Sequence, residues 1–155
     1  MTGPFVLAAV LAATQAPAHA PRLVDGFERV AGWTAHPADG VTLTLRSDAG
    51  HRGRAMRLDF AFASGGYAIA RKALALDLPP NYAFSFWIRG EAAPNTLEFK
   101  LIDRLGENVW WYIERDVAFD GRWRRVTIRR RQIAFAWGPA GGGELRHAAA
   151  LEFAI

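Results

Sequence analysis

The chain has 155 residues, a length that supports one domain. About half are apolar, and six Trp, ten Phe and three Tyr provide large side chains to bury, so a core can form without covalent staples. The absence of cysteine excludes disulfides, thiolate metal sites and a cysteine nucleophile, and 19 Lys+Arg against 15 Asp+Glu leave a modest positive charge carried almost entirely by arginine.

Met1 to Ala20 comes first in chain order. Phe5 to Ala13 form a short apolar run, and Ala16-Pro-Ala18 or Ala18-His-Ala20 offers small residues for cleavage, the pattern of a secretory signal. Export to the periplasm or beyond is therefore expected, and the run is too short to span a bilayer. Residues 21–155 then make one module, in which apolar runs alternate with Gly, Pro, Asn and Asp. The spacing predicts strands over Val41–Leu45, Met56–Phe62, Tyr82–Ile88, Leu97–Ile102, Val109–Ile113, Arg125–Ile128 and Gln132–Trp137. Turn chemistry separates them, as at Asp48-Ala-Gly50, Ser64-Gly-Gly66, Pro79-Pro-Asn81 and Arg104-Leu-Gly106. Leu151–Ile155 predicts a last strand, expected near a sheet edge, and the chain is read as the front portion of a longer one. Many short strands at this spacing point to an all-β sandwich or barrel.

The richest chemistry lies between Asn95 and Trp137. If Leu97, Phe99 and Leu101 face a core, Glu98 and Lys100 face the other way. Beyond the turn, Val109, Trp111 and Ile113 are expected to continue the core, which leaves Asn108, Trp110 and Tyr112 beside Glu98 and Lys100. A flat ring next to donors and acceptors is what a sugar requires: its C–H face stacks and its hydroxyls hydrogen-bond. The same residues also fit a plain cross-strand Glu–Lys pair with tryptophan packed beneath a loop.

Arg122 to Arg131 is the densest positive stretch, and on a strand Trp123, Arg125, Thr127, Arg129 and Arg131 share one face. Guanidiniums grip uronate, sulfate or phosphate groups in bidentate fashion. They serve equally well as a solvated face whose stems cover apolar surface. Arg129, Arg131 and Trp137 are candidate neighbours of the ligand site. A nucleic-acid partner is not expected, because the charge is modest and no nucleic-acid motif occurs. Catalysis is not expected either. His19, His36, His51 and His147 are read as lying in loops or the signal, without a metal-ligand spacing, and no serine has a nucleophile-elbow context. Glu98 and Glu114 share a nominal face, as the two carboxylates of a glycosidase do, but such pairs are common on surfaces.

Phe84-Ser-Phe-Trp-Ile-Arg-Gly90, Asn95-Thr-Leu-Glu-Phe-Lys-Leu-Ile-Asp103, Asn108-Val-Trp-Trp111 and Phe135-Ala-Trp-Gly-Pro139 carry a family resemblance. Together they resemble the N-terminal galactose-binding-like jelly-roll modules of large bacterial secreted proteins, often labelled discoidin or coagulation factor 5/8 type-like. Such modules sit beside glycoside hydrolase-type domains. The opening Leu23-Val-Asp-Gly-Phe-Glu28, followed by Trp33, is similar to the first strand of jelly-roll carbohydrate-binding modules. The resemblance implies a jelly-roll β-sandwich, here lacking its final strand. It implies a non-catalytic module that binds a polysaccharide or oligosaccharide, or one that packs against a downstream catalytic domain of the same chain without binding sugar. It also implies a structural calcium ion held by Glu28 and the loop from Asp48 to Gly53.

Overall fold

The computed structural model of the chain describes residues 20–155, so the signal expected over Met1–Ala20 lies, but for Ala20, outside the described residues. The strands are β1 Trp33–Pro37, β2 Val41–Ala49, β3 Arg54–Phe62, β4 Ala68–Asp77, β5 Ala83–Ile88, β6 Glu91–Asp103, β7 Val109–Asp120, β8 Arg124–Arg129, β9 Ala134–Trp137 and β10 His147–Ala154. A 3-10 turn at Arg130–Gln132 is the only helical piece among the described residues.

Six strands form one antiparallel sheet in the order β1-β4-β10-β6-β7-β9, and two ribbons, β2-β3 and β5-β8, face it. Alternation turns one side of each strand inward. The large sheet contributes Trp33, Ala70, Phe99, Leu101, Trp110 and Leu151, and these pack against Leu45, Leu58, Phe84, Phe86, Val126 and Ile128 of the ribbons. The Phe99 ring lies 4.9 Å from Phe84 and 5.5 Å from Phe153, and Phe153 meets Trp33 at 5.8 Å. Tilted aromatic pairs of this kind stabilise beyond the area they bury and tie the two layers together.

Two features of the large sheet position the site. The first is that β10 runs between β4 and β6, not near the edge expected for Leu151–Ile155. His147–Ala154 is almost continuous in small and apolar residues, which suits an interior strand, and Ala148, Ala150 and Ala154 are all buried. The neighbouring β4 is rich in Ala, Leu, Lys and Arg, residues that favour helix in isolation. Pairing with β1 on one side and β10 on the other holds it extended.

The second feature is the register of the β6–β7 hairpin. Ile102 pairs with Val109, so Leu101 lies opposite Trp110 and Phe99 opposite Tyr112. Each β7 side chain therefore sits on the face opposite to the one expected. Trp110 and Tyr112 turn into the core, while Val109, Trp111 and Ile113 turn outward with Glu98 and Lys100. Val109 to Ile113 is apolar or aromatic throughout, so its own pattern cannot choose a face; the turn chooses it. Asp103 builds that turn by accepting the backbone N–H groups of Glu107 (3.1 Å) and Asn108 (3.2 Å) and the Asn108 Nδ2 (2.7 Å).

The facing layer is not one sheet, because the two ribbons do not pair with each other. Between β3 and β5 lies a cleft of about 430 Å³, walled in part by Met56, Leu58, Phe86, Leu97 and Phe153.

Candidate functional site

The outer face of the large sheet carries a polar rung that crosses it strand by strand. Thr34 on β1 pairs with Arg71 on β4, Arg71 with Glu152 on β10, Glu152 with Lys100 on β6, and Lys100 with Trp111 on β7. All lie opposite the inward residues Phe99, Leu101, Trp110 and Leu151, so strand alternation alone gathers them on this face.

Charge on this face is internally matched. Arg71 Nε donates to Glu152 Oε1 at 2.6 Å, and Lys100 Nζ lies 2.7 Å from Glu98 Oε2. Lys100 is only 5% exposed and Glu152 only 3%. Charges this deeply buried require partners, and Lys100 has a second one in the Trp137 ring, whose centroid is 5.5 Å from its ammonium. Trp137 crosses Trp111 edge-on at 5.4 Å and 88°, and it remains 47% exposed. The result is a pair of indoles beside two ion pairs, with Trp137, Arg71 and Glu98 still open to solvent.

Of the residues singled out in the sequence, Glu98, Lys100 and Trp137 come together here. Trp110 and Tyr112 do not. Trp110 is 7% exposed in the core, its Nε1 donating to the Gly143 carbonyl at 3.1 Å. The Tyr112 hydroxyl donates to Glu114 Oε2 at 3.2 Å, and burial with the nearby Glu114 charge pushes the phenol above its ordinary value. Asn108 is also a structural residue. It is 4% exposed, its Nδ2 donates to Asp103, and its Oδ1 accepts the Ala140 N–H at 2.7 Å, so both ends of its amide are used. Arg129 and Arg131 lie on β8 and the 3-10 turn of the other layer, around a shallow hollow with Asn81 and Tyr82. Sequence reasoning misses Arg71, Glu152 and Trp111. The first two sit on strands whose sheet neighbours the sequence does not reveal, and the third reaches the outer face only through the hairpin register.

The two carboxylates read as sharing a face, Glu98 and Glu114, do not face each other. Leu97 pairs with Glu114 and Glu98 with Ile113, so Glu98 and Glu114 lie on opposite faces of the sheet. Glu28 accepts the Arg54 N–H at 3.3 Å. Asp48 accepts the Ala49 N–H at 2.7 Å and pairs with Arg57 at 3.3 Å, contacts that hold its carboxyl below the ordinary range. Among the described residues, no three His, Asp or Glu side chains come together as a metal site, so calcium at Glu28 and Asp48 rests on the sequence resemblance alone. His36 lies on β1 and His147 opens β10, so both are strand residues, not loop residues as expected.

No protein-family model matches the chain, and a search of curated proteins finds no match either. Among solved structures, the chain is similar to the family 11 carbohydrate-binding module of the cellulosomal cellulase Lic26A-Cel5E of Clostridium thermocellum. The identity is 19% and the TM-score 0.70, over 86% of this chain and 84% of that one. It is similar to the same extent, 19% identity and a TM-score of 0.70, to a family 11 carbohydrate-binding module from Clostridium thermocellum in complex with a beta-1,3-1,4-mixed-linked tetrasaccharide, over 85% and 84% of the two chains. The fold of this chain is the jelly-roll, galactose-binding-like sandwich of those modules.

Proposed function

We propose that this chain is a non-catalytic module that binds a polysaccharide on the outer face of its six-stranded sheet. The observation that carries this reading is the rung Arg71–Glu152–Lys100–Trp111 with Trp137 beside it. An indole offers a flat apolar platform for the C–H face of a sugar ring. The solvent-open members of the adjacent ion pairs, Arg71 and Glu98, offer a donor and an acceptor already held in place by Glu152 and Lys100, so little side-chain entropy is lost on binding. The fold likeness to carbohydrate-binding modules supports the same reading, and a mixed-linkage β-glucan is the first ligand to try. On this reading the parent protein is secreted or periplasmic and carries a glycoside hydrolase-type domain, for which the support is the signal pattern of Met1 to Ala20 and the sequence resemblance.

Affinity electrophoresis in gels containing mixed-linkage β-glucan tests the site. The wild type is expected to be retarded. Trp111→Ala and Trp137→Ala are each expected to weaken binding about tenfold or more, roughly 1.4 kcal/mol or more. Retention of wild-type affinity by both variants overturns the assignment.

A second reading is favoured by the β3–β5 cleft, where core residues such as Phe86 and Phe153 line an opening. In it the module packs against a neighbouring domain of the same chain and binds no sugar. A wild-type module with no affinity for any of a panel of soluble polysaccharides favours that reading over the first.

A further inference from the structure

We propose that the outer face of the β5–β8 ribbon is a second binding surface, separate from the Trp111–Trp137 face, and that it takes an anionic polysaccharide. The register defines the face. Phe84 pairs with Ile128 and Phe86 with Val126, and these four point into the core. Trp87 with Arg125, Ser85 with Thr127, and Ala83 with Arg129 therefore point outward on the layer opposite the first site.

Three observations make this face a recognition surface and not merely a solvated one. Neither β5 nor β8 contains an acidic residue. Among the described residues, neither Arg125 nor Arg129 has a carboxylate within 4.0 Å, nor do the flanking Arg89, Arg122 and Arg131. The arginine of the ribbon that points inward, Arg124, is paired at 3.0 Å with Glu114. The unpaired cations are thus those that face outward. Next, Trp87 is 46% exposed although the His51 ring lies flat on it at 3.8 Å and 6°. His51 also meets Trp123 edge-on at 6.1 Å, and the Arg89 guanidinium sits 5.1 Å over that ring. These contacts hold Trp87 in a fixed pose with part of its surface free, as a stacking platform needs. Finally, the Ser85 and Thr127 hydroxyls lie 3.0 Å apart midway along the strip, a donor–acceptor pair between the two guanidiniums.

The spacing identifies the ligand class. Arg125 and Arg129 are four residues apart on one strand, so their Cα atoms are about 13 Å apart. An extended chain with carboxylate or sulfate groups at intervals meets both forks, which bind such planar or tetrahedral anions bidentately. A ring of that chain stacks on Trp87 while its hydroxyls meet Ser85 and Thr127. Single-stranded nucleic acid calls for a series of aromatics along a basic groove, and the two indoles here, Trp87 and Trp123, lie together at one end of the strip around His51.

The test uses polygalacturonate for the uronate arm, dextran sulfate for the sulfate arm and an oligothymidylate as the nucleic-acid probe, each at low and at high salt. The wild type is expected to bind at least one of the two polysaccharides, with affinity that falls as salt rises. The double variant R125A/R129A is expected to lose that binding at least tenfold, and Trp87→Ala to weaken it. All of these side chains are exposed, so a wild-type unfolding midpoint separates lost binding from lost fold. Trp111→Ala with Trp137→Ala is expected to leave polyanion binding intact, so failure of the first site and failure of this one are distinguishable. Unchanged polyanion binding by R125A/R129A overturns the proposal, as does an oligothymidylate bound more tightly than either polysaccharide.

Discussion

Trp110 and Trp111 are adjacent in sequence and opposite in role, and their difference is the sharpest residue-scale consequence of the structure. Trp110 fills the core and gives its N–H to Gly143, whereas Trp111 stands on the outer face against Trp137. Truncating Trp110 to alanine removes a buried indole and is expected to cost about 3–5 kcal/mol in urea unfolding. Trp111→Ala is expected to cost much less and to lose ligand affinity instead. A second residue-scale prediction concerns Asp25, which accepts hydrogen bonds from the Phe27 N–H at 2.6 Å and the Trp33 Nε1 at 3.0 Å and pairs with Lys72. Burial raises its pKa, but the Lys72, Phe27 and Trp33 hydrogen bonds outweigh that, and the carboxyl ionises below its ordinary value. The folded pKa is thus the lower one. The stabilisation is complete above the unfolded value of about 3.9 and is lost as pH falls through the folded value. Asp25→Asn is expected to lower stability at pH 7 by about 1–3 kcal/mol. It should also flatten the decline below pH 4 in denaturant titrations.

At the scale of elements, the hairpin turn decides what the site contains. Asn108 joins the Asp103 turn to the loop after β9, and Gly138 makes the close approach possible. A Cβ at Gly138 would lie 2.5 Å from Asn108 Oδ1 and from the Glu107 carbonyl, at a φ of +130. Asn108→Ala removes one of the partners of Asp103 and the side-chain acceptor of the Ala140 N–H, and a loss of about 1–2 kcal/mol is expected in urea unfolding. Sugar affinity per folded molecule should be unchanged, since Asn108 does not reach the outer face. The strands themselves were legible where alternation or β-branched and aromatic residues marked them, as in β2, β5 and β8. In β8 the outward set Arg125, Thr127 and Arg129 was legible as well. β4 escaped because Ala68–Asp77 has helix-favouring composition, and β1 because five residues ending in proline give little pattern. The face of β7 escaped because register is a property of a pair of strands and their turn, not of one strand's sequence.

At the scale of the molecule, the sandwich presents two unlike outer surfaces with the aromatic core between them. The large sheet carries matched ion pairs and indoles, while the β5–β8 ribbon carries unmatched guanidiniums around Trp87. A neutral glucan on the first face should bind with little salt dependence, and a polyanion on the second should be released by salt, since exposed charge interactions are screened over about 10 Å at 0.1 M. Saturating mixed-linkage β-glucan should accordingly fail to displace polygalacturonate or dextran sulfate in a competition assay. An all-β sandwich or barrel was legible from strand spacing and the jelly roll from the sequence resemblance, but the neighbours of β10 were not. That strand brings Glu152 next to Lys100 across a long stretch of sequence, and only the closed sheet makes the pairing. On the proposed function, sugar lies across this rung and Trp137. Amide chemical-shift mapping during titration with a mixed-linkage tetrasaccharide tests it most directly. Perturbations are expected to centre on Lys100, Trp111, Trp137 and Glu152, with Trp110 and Arg129 little affected. Perturbations centred on β5 and β8, or none at saturating ligand, would contradict it.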